Sequence, residues 1–283
     1  MFLRKKVKVG LVLGSGGAKG LSHVGVIKVL EQEGIPIDVI AGSSIGALVG
    51  GLYAATRDIS AVEQLALKTN WKELISLIDP SWRHGLMGGD KIKKFIEKQV
   101  GNITFSDLKI PFIAVATDLK TAKPVIMREG DVSFAIRSSI AIPLVFKPVV
   151  YGDALLVDGG LSLPLPVSVV KEMGADMVIA IDLYADYYAQ TKEASVSFTK
   201  LSGDIFNLLR FHLAKENRKG ADIIVTPRVS ATRWSSLFTS EKTKAVILAG
   251  EEAMRERLFE TREALRPRRE PFLRRLADLL FPT

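Results

Sequence analysis

The sequence predicts an α/β fold, with a central, mostly parallel sheet covered by helices. Three observations predict it. Strand-like and helix-like stretches alternate along most of the chain. The strand-like stretches are apolar at successive positions, as strands buried on both faces are. No internal repeat or low-complexity linker divides the 283 residues, a length that one large domain or two small ones fill.

The elements follow in order. Residues 7–13 are a continuous apolar strand. Residues 21–33 carry Val24, Ile27, Val29 and Leu30 at helical spacing and end at Gly34. Residues 37–41 form a second short strand, and residues 45–56 a buried helix. Residues 59–68 and 91–100 read as amphipathic helices, the second stopped by Gly101. Residues 111–117 are a strand of Ile, Val and Ala, and residues 123–128 pair with it or lie nearby. Residues 131–141 are helical, with Pro143 ending them. Residues 149–151 and 155–157 read as a hairpin around Gly152-Asp153. Residues 167–173 are a helix ending at Gly174, and residues 177–182 a buried strand. Residues 223–226 form another strand, closed by Pro227, and residues 241–265 one long helix. The least regular stretches, 76–89 and 185–197, are either surface loops or a cover over a site.

Composition narrows the function. Zero Cys excludes disulfides, thiolate metal sites and a Cys nucleophile. Three histidines, His23, His84 and His212, argue against a His-rich metal site and restrict any Ser-His-Asp triad. The net charge of +8 points to an anionic partner. Basic residues are not interleaved with aromatics in a nucleic-acid motif, so no nucleic acid is expected. The basic N-terminus leads into a short strand, without the apolar core and cleavage site of a secretory leader. The longest uncharged run, between Asp38 and Arg57, holds Gly42, Ser43, Ser44, Gly46, Gly50 and Gly51. A strand, a tight turn and a close-packed helix explain it better than a membrane span. A cytoplasmic protein, peripheral to the inner face of the membrane, is expected.

Three motifs carry chemistry. Gly14-Ser15-Gly16-Gly17-Ala18-Lys19-Gly20 lies directly after a strand and before a helix. Such a loop turns backbone N–H groups toward one anion, a phosphate or a transient oxyanion. A P-loop needs Ser or Thr after the lysine, and here Lys19 is followed by Gly20. Gly42-Ser43-Ser44-Ile45-Gly46 is a G-x-S-x-G between strand and helix, the setting of a nucleophile elbow. A serine nucleophile needs a base. Of the three histidines only His212 lies in the half where an α/β-hydrolase places its own, and its neighbours read as helix interior rather than a catalytic loop. Asp158, ahead of Gly159 and Gly160 at the end of an apolar strand, is the alternative. Taken alone, a turn residue is the favoured reading.

In this order the three motifs resemble the patatin-like phospholipase family. The flanking runs Leu21-Ser22-His23-Val24-Gly25-Val26 and Arg137-Ser138-Ser139-Ile140-Ala141-Ile142-Pro143 agree, and the likeness covers residues 7–182. The family often has Thr where Ser43 stands, and commonly Asn-Pro where this chain has Ser162-Leu163-Pro164. The resemblance implies a three-layer α/β/α fold and a Ser44–Asp158 dyad acting on lipid or phospholipid esters. It also implies an oxyanion hole from the amides of Gly16, Gly17 and Ile45, and it calls for no metal and no cofactor. Lys19 either positions the loop or meets a phosphate. Two alternatives stay open: a His-dependent esterase or peptidase, and a non-catalytic lipid-binding protein that kept the fold.

Residues 1–265 are expected to form the catalytic domain and residues 266–283 a basic amphipathic tail. The tail sets Arg268-Arg269 and Arg274-Arg275 beside Phe272, Leu273, Leu276, Leu279, Leu280 and Phe281. It suits either contact with an anionic membrane or packing on the domain. A second cluster, Ile205, Phe206, Leu208, Leu209 and Phe211, suits an acyl channel or the core. Oligomeric state is not legible.

Overall fold

The computed structural model describes residues 6–69, 90–143, 145–186, 198–229 and 239–266. His84, the loop 76–89, most of 185–197 and the tail beyond Arg266 lie outside the described residues. Eight strands form one sheet: β1 (Val9–Leu13), β2 (Val39–Ser43), β3 (Phe112–Asp118), β4 (Pro124–Met127), β5 (Val149–Tyr151), β6 (Ala154–Asp158), β7 (Met177–Ile181) and β8 (Ile223–Val225). The run β3-β2-β1-β7-β8 is parallel, while β4, β5 and β6 are antiparallel additions at the β3 side. The described helices are α1 (Ser22–Gln32), α2 (Ile45–Thr56), α3 (Ile59–Lys68), α4 (Asp90–Val100), α5 (Val132–Ser139), α6 (Val167–Glu172), α7 (Phe198–Asn217), α8 (Ser240–Glu256) and α9 (Leu258–Leu265).

Alternation along the strands explains the three layers. Leu11 and Leu13 of β1, Ile40 of β2, Phe112 and Ala114 of β3 and Ile179 of β7 join a core shared with α1, α2, α3, α5 and α8. Their neighbours Val12, Ala41, Ile113 and Val178 point the other way and pack with Val167, Val169 and Val170 of α6. Both faces are dry, hence the uninterrupted apolar runs. Helices α1 and α8 meet backbone to backbone. A Cβ on Gly25 would collide with the Ile247 carbonyl, and one on Gly250 with that of Ser22.

One feature of the sheet governs the site. Ala114 and Val115 of β3 pair with both β2 and β4, whereas Ala116 and Thr117 pair with both β4 and β6. A strand has two edges, so β2 and β6 must share the edge opposite β4, end to end. Ser43, the last residue of β2, faces Val115; Asp158, the last residue of β6, faces Ala116. The two strands run toward each other and stop one residue apart.

Three expectations change. The second strand spans Val39–Ser43, later than residues 37–41, because Gly42 and Ser43 continue its ladder with Ala114 and Val115. The long C-terminal helix breaks at Arg257 (φ −101°, ψ 1°), whose Nε donates to the Ile224 carbonyl of β8. Ile205, Leu208 and Leu209 of α7 do not join the core but are exposed. Among the described residues no helix is long and apolar enough to cross a membrane.

Candidate active site

The turn between β2 and α2 is a single residue. Ser44 has φ 56° and ψ −124°, a left-handed conformation that a non-glycine residue adopts at a cost of about 1–3 kcal/mol. The surroundings over-determine it. Its amide donates to Ser139 Oγ at 2.9 Å, and Ser139 Oγ donates to the Val115 carbonyl at 2.5 Å. Its carbonyl accepts from Ala47 and Leu48. Gly46 lets α2 start against β1, since a Cβ there would strike the Leu13 carbonyl; Gly42 lies as close to Gly46. Ser139 was missed by sequence reasoning, although it stands in a run that the family resemblance already marked.

The Ser44 hydroxyl donates to Asp158 Oδ2 at 2.5 Å. The other carboxylate oxygen, Oδ1, accepts from the Gly160 amide at 2.8 Å and from Arg210 Nη2 at 3.3 Å. The Asp158 carbonyl accepts from Thr117 Oγ1 at 2.9 Å. With that proton committed, Ser162 Oγ donates to Thr117 Oγ1, 2.8 Å away. The variant stretch Ser162-Leu163-Pro164 thus buttresses the site: the Pro164 carbonyl also receives the Ser15 amide at 2.8 Å. Asp158 has no exposed surface and Ser44 only 4%.

The glycine-rich loop comes next to both. Gly14 donates to the Ile181 carbonyl at 3.2 Å, and a Cβ on Gly16 would meet Leu183. Gly16 is the cap and Gly17 (φ 57°) the first residue of a 3₁₀ turn, Gly17–Leu21. Ile45 is likewise the first residue of α2. Amides at such positions have no acceptor within their own helix. The three motifs interlock through their small residues. A Cβ on Gly20 would overlap Ile45; on Gly159, the Val115 carbonyl; on Gly160, Ser15 Oγ at 2.7 Å. Lys19 is held below the usual lysine range by burial, with Asp186 working against it.

The two described histidines do not meet Ser44. His23 Nε2 donates to the Gly14 carbonyl at 2.8 Å; burial pushes its pKa down to about 4, so the ring is neutral and steadies the loop. His212 is exposed on α7, edge-on to Phe211.

Arg210 is the residue that sequence reasoning left unassigned. Burial opposes its charge, but Tyr184 and Asp158 outweigh burial and keep the guanidinium protonated. The signal available was a lone arginine inside the apolar run from Ile205 to Phe211.

The profile of a family described as Patatin-like phospholipase matches residues 11–171, more than half the chain. An uncharacterized NTE family protein of Mycobacterium tuberculosis is 39% identical over 193 residues, 68% of this chain and 53% of that protein. Lysophospholipase nte1 of Emericella nidulans is 35% identical over 181 residues, 62% of this chain and 12% of the relative. Neuropathy target esterase sws of Drosophila melanogaster is 34% identical over 183 residues, 62% of this chain and 13% of the relative. The chain therefore spans about half the length of the mycobacterial relative and far less of the other two. VipD from Legionella pneumophila superposes with a TM-score of 0.59 at 13% identity, over 92% of this chain and 67% of that one. The type III effector protein ExoU superposes with a TM-score of 0.52 at 13% identity, over 92% and 53%. At that identity the likeness is one of fold, the three-layer α/β/α arrangement.

Proposed function

The chain belongs to the patatin-like phospholipase family, and from that premise we propose that it is a serine-dependent lipid acyl hydrolase whose working pair is Ser44 and Asp158. One observation carries the reading: a hydroxyl at a strained strand-to-helix turn donates at 2.5 Å to a buried carboxylate. The names of two relatives, a lysophospholipase and an esterase, support the same substrate class.

In this reading Ser44 Oγ attacks the ester carbonyl carbon while its proton passes to Asp158 Oδ2. Negative charge gathers on the former carbonyl oxygen, met by the amides of Gly16, Gly17 and Ile45; each such donor is worth ~3–4 kcal/mol of barrier. The Ser44 amide is not part of that set, because Ser139 already holds it. The alkoxide leaves with the proton from Asp158, and Ser44 keeps the acyl group as an ester. Water then gives its proton to Asp158 and attacks the acyl carbon. Collapse of that intermediate releases the fatty acid, and Ser44 Oγ recovers the proton.

A serine-directed fluorophosphonate with mass-spectrometric site mapping, followed by a panel of phospholipids and lysophospholipids, tests this. Label is expected on Ser44, and Ser44→Ala and Asp158→Asn should each lose turnover by ~10³-fold or more, about 4 kcal/mol of barrier. Label on another serine, with turnover kept in Ser44→Ala, overturns it. Turnover lost instead in folded His84→Gln revives a histidine-dependent esterase.

Lipid contact belongs to the same proposal. Residues 1–265 would carry catalysis and the basic tail 266–283 would add binding to anionic bilayers, each basic residue contributing about 1 kcal/mol near the surface. Chain lacking residues 266–283 should float less with anionic vesicles and still cleave a soluble short-chain ester. Equal flotation of both forms assigns the lipid contact to another surface.

A further inference from the structure

Helix α7 is built the wrong way round for a helix on a protein surface. At ~100° per residue, Leu201, Ile205, Leu208 and Leu209 share one arc, and all four are exposed, Leu201 and Leu209 by more than half. Arg210 stands opposite that arc, and its side chain is only 13% exposed. Apolar burial alone would rotate such a helix to put the aliphatics inside. Turned inward instead are Arg210, which reaches Asp158, and Ala214, only 1% exposed.

The contact is selective. Asp158 offers two oxygens, and Arg210 Nη2 takes Oδ1, together with the Gly160 amide, leaving Oδ2 to the Ser44 hydroxyl. The guanidinium also meets Tyr184, whose hydroxyl burial holds above the usual tyrosine range. A carboxylate whose Oδ1 is held by both an amide and a cation exchanges its oxygens less readily than one held by the amide and the Ser44 hydroxyl alone. An arginine is suited to this, since its charge survives burial.

We propose that Arg210 is the positioning residue for Asp158: it orients the carboxylate so that Oδ2 stays in line with the Ser44 hydroxyl. The proposal rests on the Ser44–Asp158 reading for its effect on rate, but not for the contact itself. It touches neither substrate nor the reacting serine and acts through Asp158 alone.

Two measurements on the full chain test it. The first is turnover of a soluble ester by Arg210→Gln, Arg210→Lys and Arg210→Ala. A misplaced reacting group costs on the order of 10²-fold, so Arg210→Gln should lose roughly ten- to a hundredfold in kcat with KM little changed. Arg210→Lys should recover part of the loss, and added methylguanidine should raise the rate of Arg210→Ala. Wild-type kcat in Arg210→Gln overturns the proposal. So does an equal loss in Gln and Lys variants, both folded, with no rescue by methylguanidine. The second is a double-mutant cycle of Arg210→Gln with Asp158→Asn, read as the thermal midpoint, which needs no turnover. The two shifts should fall short of adding; additive shifts overturn the proposal even where the chain proves inert toward esters, and an inert wild type with non-additive shifts would refute the hydrolase reading instead.

Discussion

Helices α1 and α7 each carry one ionisable side chain into the same neighbourhood, by opposite means. Helix α1 buries its aliphatics, Val24, Val26, Ile27, Val29 and Leu30, completely. His23 goes in with them and meets only the Gly14 carbonyl, so it gives up its charge. Helix α7 leaves Leu201, Ile205, Leu208 and Leu209 outside and takes Arg210 in, and Arg210 keeps its charge because a carboxylate meets it. Burial neutralises an ionisable group that has no counter-charge and tolerates one that has. The first helix packs into the core; the second reaches the site through an ion pair.

Two measurements sharpen that contrast. The larger effect is packing. Ile27→Ala, in α1, removes a side chain with no exposed surface and should cost about 2–5 kcal/mol. Leu209→Ala, in α7 and 54% exposed, should stay within about 0.5 kcal/mol of the parent. Urea unfolding midpoints of the two variants decide it; a comparable loss in Leu209→Ala would mean that the outer face of α7 is covered after all.

The smaller effect is pH-dependent. His23 titrates at about 4 in the folded protein against 6.5 for the free side chain. As pH falls, the unfolded chain takes up the proton first, so the neutral ring stabilises fully above pH ~6.5. That contribution is lost progressively between about 6.5 and 4, by about 3 kcal/mol in all. His23→Gln should show a flatter fall in stability over this window. Arg210 does not titrate there, so Arg210→Gln should keep the parent slope. Identical slopes for the parent and His23→Gln would contradict a buried neutral ring.

How much was legible in advance follows the range of the interactions. The buried parallel strands showed in uninterrupted apolar runs, because a strand covered on both faces needs no polar alternation. The elbow at Ser44 and the glycine loop showed because turn chemistry is written within a few neighbouring residues, whereas Asp158, a turn residue by its local setting, stood out only through the order of the three motifs that carries the family resemblance. The end of β2 was misplaced by two residues, since Gly42 and Ser43 are poor strand formers held in register by β3. The helix break at Arg257 was invisible because its cause, the Ile224 carbonyl, lies 33 residues away.

The sequence by itself determined which residues are candidates for the chemistry and in what local setting: a hydroxyl on a strand-to-helix turn, a glycine-rich loop, a carboxylate at a strand end. Only the tertiary structure decided that these meet. Ser44 and Asp158, 114 residues apart, converge because β2 and β6 occupy one edge of β3 end to end. Ser139 reaches the Ser44 amide, and Arg210 reaches Asp158 from 52 residues further along the chain. The physical reason is that strand order and a buried ion pair depend on which distant segments come into contact, and no window of neighbouring residues encodes that choice.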